Sequence, residues 1–130
     1  MNVVTEAEGS PAAVLIRALH PVDGVPVMRR RRARHVGSRR EFDRRNFELC
    51  RGPGNVTTAM GITVAHNRID LTGSRLFVED QGVSVGAVAW TARVGIRVGL
   101  EHSWRVYVVG DPAVSALRKT ASGGAGSARP

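Results

Sequence analysis

Between Arg29 and Arg51 the chain carries ten arginines, at positions 29, 30, 31, 32, 34, 39, 40, 44, 45 and 51, opposed only by Glu41, Asp43 and Glu48. A stretch so charged cannot form the interior of a domain, because burying guanidinium groups without partners is costly. It has to lie at a surface, and the apolar interior must be assembled from the segments on either side of it. The same stretch holds seven of the eight net positive charges of this 130-residue chain, and lysine occurs once, at Lys119. The planar guanidinium fork pairs with phosphate, so the bias fits a polyanionic partner such as nucleic acid. A GC-rich genome produces the same bias without any such role.

Composition removes several classes. At 42% hydrophobic residues there is enough apolar material for one packed domain, whereas 5% aromatic content is thin for a surface that must stack on bases. Cys50 stands alone, which excludes a disulfide framework and a thiolate metal cluster. His20, His35, His66 and His102 share no metal-ligand spacing, so no metal site is expected. There is no apolar run of about 18 residues, hence no expected membrane span. The start of the chain, with Glu6 and Glu8, lacks the pattern of a secretory signal, so a cytoplasmic location is expected. Gly52-Pro53-Gly54 is not a dinucleotide fingerprint, since no third glycine follows at the required step.

The local patterns point to mixed α and β structure. Residues 3–5 and 12–19 are apolar or β-branched runs around the polar turn Glu6-Ala7-Glu8-Gly9-Ser10-Pro11, which predicts a hairpin. Arg17 interrupts the second run. An arginine in a buried strand is costly unless paired, so either the strand is open or Arg17 has a role. Pro21 ends that strand, and Asp23 is placed to cap a helix over about 24–35, with Pro26 tolerated in its first turn and Val25, Met28 and Val36 as a narrow apolar stripe. Residues 37–46 read as a basic loop. Pro53 opens a short helix whose Val56, Ala59 and Met60 share a face and which Gly61 ends. Strands are expected over 75–79, 91–98 and 104–109, and 83–90 reads as either strand or loop. Residues 122–130 are of low complexity and are expected to be disordered.

Three blocks, taken in order, carry a resemblance. Val14-Leu15-Ile16-Arg17-Ala18-Leu19-His20-Pro21, Leu49-Cys50-Arg51-Gly52-Pro53-Gly54 and Ala92-Arg93-Val94-Gly95-Ile96 resemble the second half of the alkyladenine (3-methyladenine) DNA glycosylase family. Trp104-Arg105-Val106-Tyr107-Val108 with Gly110-Asp111-Pro112 resembles that family's last strand and closing turn. The resemblance implies an α+β fold, a curved and mainly antiparallel sheet with short helices, truncated on its N-terminal side. It would occupy residues 1–118, followed by a disordered tail over 119–130.

The resemblance also assigns roles. Asn2, in the pair Asn2-Val3, matches the asparagine that lies against the purine's 2-position edge and disfavours guanine's exocyclic amine. Arg17 matches an arginine that helps hold the attacking water, and Val94 a residue whose backbone carbonyl contacts the same water. Arg29, Arg32, Arg51 and Asn55 are the residues expected to meet DNA, although Asn55 stands where a basic residue is frequent. His20 stands where a glutamate is often found, and little consequence is expected from the change. The implied activity is base flipping followed by hydrolysis of the N-glycosidic bond of an alkylated purine in double-stranded DNA, without metal or cofactor. The expected partner is duplex DNA, with the protein a nucleoid-associated monomer. The family's general-base glutamate and its pocket and intercalating tyrosines have no match in these residues, and Tyr107 is the only tyrosine. The chain by itself is therefore expected to be inactive. The alternative left open by composition is a non-catalytic, basic nucleic-acid-binding module.

Overall fold

The computed structural model describes residues 1–35 and 45–115. Val36, most of the basic loop expected over 37–46, and the tail expected over 119–130 lie outside the described residues. The order of elements is β1 (Asn2–Val4), β2 (Ala13–Leu15), α1 (Val25–His35), a single 3-10 turn (Asn46–Glu48), α2 (Pro53–Met60), a second 3-10 turn (Val64–His66), β3 (Val88–Thr91) and β4 (Arg105–Val108).

The expected first hairpin forms. β1 and β2 pair antiparallel, with Asn2 opposite Leu15, Val3 opposite Val14 and Val4 opposite Ala13. Its turn closes through Ser10 N–H to the Ala7 carbonyl at 3.1 Å, with Gly9 at φ +95°; the left-handed region is open to glycine at no steric cost. β2 is shorter than expected, ending at Leu15 rather than running to residue 19. Past Leu15 the chain changes partner. Ala18 forms an isolated antiparallel bridge with Arg51, and Leu19 N–H donates to the Cys50 carbonyl at 3.2 Å. That exchange ties the hairpin to the segment that leads into α2.

α1 begins one residue later than expected, and the cap differs from the expected one. Asp23 Oδ1 accepts from the neighbouring Gly24 N–H at 2.6 Å, while the Gly24 carbonyl receives the first helical bonds from Val27 and Met28. Val25 and Met28 pack, with Ile16 and Met60, on a core of Leu49, Cys50, Val56 and Ala59. Among the described residues, these last four and Ala113 are the buried hydrophobic side chains. Full burial of Leu49 or Val56 is worth about 1.5–3 kcal/mol each.

α2 follows its sequence signals closely. Gly52 at φ +105° precedes Pro53 at the first helical position, where the missing N–H sacrifices no helical bond. At the other end Gly61, at φ +73°, makes a Schellman closure: Ile62 N–H donates to the Thr57 carbonyl at 2.8 Å and Gly61 N–H to Thr58 at 3.2 Å. The next carbonyl of the last turn, that of Ala59, receives Arg31 Nη1 at 3.1 Å from α1. A cation at the C-terminal end of a helix also complements its dipole.

The sheet differs from the expectation. Among the described residues the strands form two two-stranded antiparallel ribbons, β1–β2 and β3–β4, and no pairing joins them into one curved sheet. The chain is α+β all the same. In the second ribbon Val88 faces Val108, Ala89 faces Tyr107, Trp90 faces Val106 and Thr91 faces Arg105. The strand expected over 75–79 is irregular, because its alternation finds no partner strand among the described residues; Phe77 and Val78 are exposed. The strand expected over 91–98 stops at Thr91, and Gly95 and Gly99, both at φ +77°, turn the chain out of extended conformation. Of 83–90, only the part from Val88 is strand.

Two outcomes are expected from this arrangement. Gly61→Ala should destabilise the chain by about 1–2 kcal/mol, the cost of a left-handed non-glycine residue, since the added methyl would also sit 2.8 Å from the Arg31 guanidinium carbon and displace it from Ala59; the urea midpoint followed by circular dichroism reads this. Burial pushes the Cys50 thiol pKa up, with Arg32 partly offsetting it. The native state then keeps a proton that the unfolded chain loses above about pH 8.5. Stability should therefore be flat below that pH and fall above it, and Cys50→Ala should remove the fall in an alkaline denaturation series.

Candidate functional site

Arg17 and Asn2 lie on the first ribbon. Side chains directly opposite in an antiparallel pair share a face, so Asn2, Val4, Ala13 and Leu15 line one side of β1–β2, and Val3 and Val14 the other. All four residues on the first side are exposed, whereas Ile16, which follows Leu15, turns to the core. Arg17 is exposed too, two residues beyond Leu15, and Ile16 N–H reaches the Met1 carbonyl at 3.1 Å beside it. Of the two readings of a charge in that apolar run, the open strand describes the structure: no burial penalty falls on Arg17. Val94 is half-buried, three residues past β3. Among the described residues no hydrogen bond joins Val94 to Arg17 or Asn2.

The four residues expected to meet DNA are engaged within the molecule. Arg29 Nη2 donates to Asn46 Oδ1 at 2.9 Å. Arg32 is 8% exposed, and its Nη1 donates to Asn55 Oδ1. Asn55 Nδ2 in turn donates to the Arg51 carbonyl at 2.7 Å, and Arg51 Nη2 to the Val114 carbonyl at 3.3 Å. The amide of Asn55 thus bridges α1 to the segment before α2, accepting with one end and donating with the other. A signal for this was available. Arg32 stands four residues after Met28 and seven after Val25, on the core-facing line of the helix. Arg30 and Arg34, four apart, are exposed.

A second set of contacts closes the chain behind β4. His20 Nδ1 lies 3.5 Å from Asp111 Oδ2, while Asp111 Oδ1 accepts from Ala113 N–H at 2.7 Å. Arg105 lies 4.3 Å over the Tyr107 ring and donates to Thr91 Oγ1 and to the Ser115 carbonyl, both at 3.3 Å. Trp104 stacks with His102 at 4.2 Å between ring centres, and the Arg93 guanidinium lies 5.4 Å from the centre of its ring. The sequence reading assigned none of these contacts, since each depends on which distant segments meet. Among the described residues no group of three or more His, Cys, Asp or Glu side chains could hold a metal ion, and no helix is long and apolar enough to cross a membrane.

Comparison with known proteins identifies the family. The sequence pattern of the methylpurine-DNA glycosylase family matches residues 1–112. A protein of Bradyrhizobium diazoefficiens is 42% identical over 119 residues, covering 88% of this chain and 52% of its own length. One of Salinibacter ruber is 40% identical over 116 residues (88% and 52%), and one of Rubrobacter xylanophilus 38% over 112 (85% and 53%). Each bears the name "Putative 3-methyladenine DNA glycosylase". The chain belongs to the methylpurine-DNA glycosylase family, and it spans about half the length of the relatives it matches.

The clamp between the helices makes a separable prediction. Asn55→Ala removes an acceptor from a buried cation, which typically costs about 1.5–3 kcal/mol, whereas Arg30→Ala and Arg34→Ala should each change stability by less than about 0.5 kcal/mol. Denaturation midpoints of the three variants give the comparison directly.

Proposed function

We propose that this chain supplies one part of a DNA glycosylase that takes an alkylated purine out of the duplex and hydrolyses its N-glycosidic bond. The observation that carries this reading is the family match over residues 1–112, which includes every residue assigned a role. Arg17 and the Val94 carbonyl hold the attacking water, and Asn2 lies against the purine edge and disfavours guanine. The solvent-open side shared by Asn2 and Leu15 supports a flipped base meeting Asn2 there. Phosphate contacts fall to Arg30 and Arg34, which are exposed on α1, while Arg32, Arg51 and Asn55 act on the DNA through the shape they give the α1–α2 surface.

In a hydrolysis of this kind a general base takes a proton from water as its oxygen attacks the anomeric carbon, and the purine leaves with the bonding electrons. Positioning of that water by a cation and a carbonyl is the contribution of this chain; a base typically contributes about 10²–10⁴-fold.

A chimera tests the assignment. Residues 1–112 replace the matching region of the Bradyrhizobium relative, with the unaltered relative as control, on duplex carrying one ethenoadenine or 3-methyladenine. Base release is expected, and Arg17→Ala should lower it by about 10²-fold, the scale of a misplaced reactant. A chimera that stays at the blank while the control works, or one indifferent to Arg17→Ala, overturns it.

The second reading, a non-catalytic basic module, is favoured by the exposed Arg30 and Arg34. It is distinguished by lesion-independent duplex binding whose log–log salt slope drops by about 2 when both arginines become alanine.

A further inference from the structure

The Val94 carbonyl, assigned above to the attacking water, sits in a stretch with little backbone support. β3 ends at Thr91, and among the described residues no backbone–backbone hydrogen bond engages residues 93–98. What holds the chain there comes from side chains, and the second ribbon supplies them. One face of β3–β4 carries Ala89, Thr91, Arg105 and Tyr107, all half-buried, while Val88, Trp90 and Val106 on the other face are open to solvent. On the half-buried face the last pair of the ladder is Thr91 opposite Arg105.

Arg105 Nη1 donates to Thr91 Oγ1 at 3.3 Å, and Thr91 Oγ1 donates in turn to the Ala92 carbonyl, also at 3.3 Å. Chemistry fixes the direction of this relay. A guanidinium has donors only, so it occupies a lone pair of the hydroxyl and leaves the single hydroxyl proton for a carbonyl. Each bond polarises the next. The Ala92 carbonyl is the first beyond β3 and precedes that of Val94 by two residues. Arg105 is itself fixed from other sides: its guanidinium lies 4.3 Å over the Tyr107 ring, and its Nη2 donates to the Ser115 carbonyl at 3.3 Å. A planar fork held on its face and at both of its ends has little freedom left.

We propose that Arg105 and Thr91 are positioning residues for the Val94 carbonyl. The relay fixes the first peptide beyond β3, and with it the direction in which the Val94 oxygen meets the attacking water. Neither residue touches the purine or the water. The catalytic consequence rests on the glycosylase reading; the structural one rests on the relay alone.

Thr91→Val keeps a branched side chain suited to a strand and removes the hydroxyl, whereas Thr91→Ser keeps the hydroxyl. Gly95 N–H shares a peptide plane with the Val94 carbonyl and reports its orientation. In the full 130-residue chain, the Gly95 amide resonance should move in Thr91→Val and in Arg105→Lys and return in Thr91→Ser. The amides of Leu19 and Ile62, bonded at the first ribbon's exit and at the end of α2, should stay in place. In the chimera described above, Thr91→Val should lower the single-turnover rate of base release by about 10-fold while duplex affinity holds within about twofold, the pattern of a misplaced reactant rather than a lost contact. Thr91→Ser should restore the rate; a purely structural role lowers the melting temperature and leaves the rate per folded molecule alone. A Gly95 amide unmoved in both Thr91→Val and Arg105→Lys overturns the proposal. So does a chimera that loses activity with Arg17→Ala but keeps its full rate with Thr91→Val. A chimera indifferent to Arg17→Ala overturns the glycosylase reading instead, while the Gly95 amide still decides whether the relay sets the Val94 peptide.

Discussion

The contact between α1 and α2 is made by guanidinium groups as much as by apolar side chains, and it is tied through Asn55 and Arg51 to the segment that follows the first ribbon. α1 offers Val25 and Met28 to the core, and the next position on that line is Arg32. Burying that cation is tolerable because Asn55 receives it. The same amide pins the Arg51 carbonyl, and Arg51 is bridged to Ala18, the residue after Arg17. A line of direct contacts thus runs from the middle of α1 to the first ribbon. Arg31 fastens the other end of α2 through Ala59 and leaves room only for glycine at position 61.

One residue type therefore does two unlike jobs within a single helix. Arg32 is buried and donates to Asn55, and Arg31, itself exposed, donates to the end of α2, while Arg30 and Arg34 face water with their charge available. In the interior the guanidinium matters for its fork of donors and its lack of any proton to lose. Outside it matters as a mobile positive charge that salt can screen. A count of arginines along the sequence adds these contributions together, which overstates what a phosphate backbone would meet.

That difference also marks what could be read in advance. Pro53, Gly61 and the polar turn at Glu6 to Pro11 announced their elements because turn and cap geometry is local: a proline without an N–H and a glycine at positive φ carry their reason within a few residues. The apolar positions of α1 and α2 were equally legible. The alternation at 75–79 and the β-branched run at 91–98 were not reliable guides, because a strand exists only where a neighbour completes its hydrogen bonds, and neighbours are set by the whole chain. The inward turn of Arg32 was present in the spacing but masked by the arginines around it. Charge was read as a block where the helix reads it by angle. The candidate site was legible only through resemblance, since Asn2, Arg17 and Val94 share no spacing that chemistry would demand.

The openness of both ribbons has a further consequence for the proposed chemistry. An exposed guanidinium such as Arg17 acts on a neighbouring water through a high dielectric, where a unit charge at 4 Å is worth about 1 kcal/mol; at an effective constant of 20 it is worth about four times more. Stabilisation of a developing charge depends on donors held in place with bulk water excluded. In the reading proposed above Arg17 holds the attacking water, so the strength of that hold depends on how far bulk water is excluded around it.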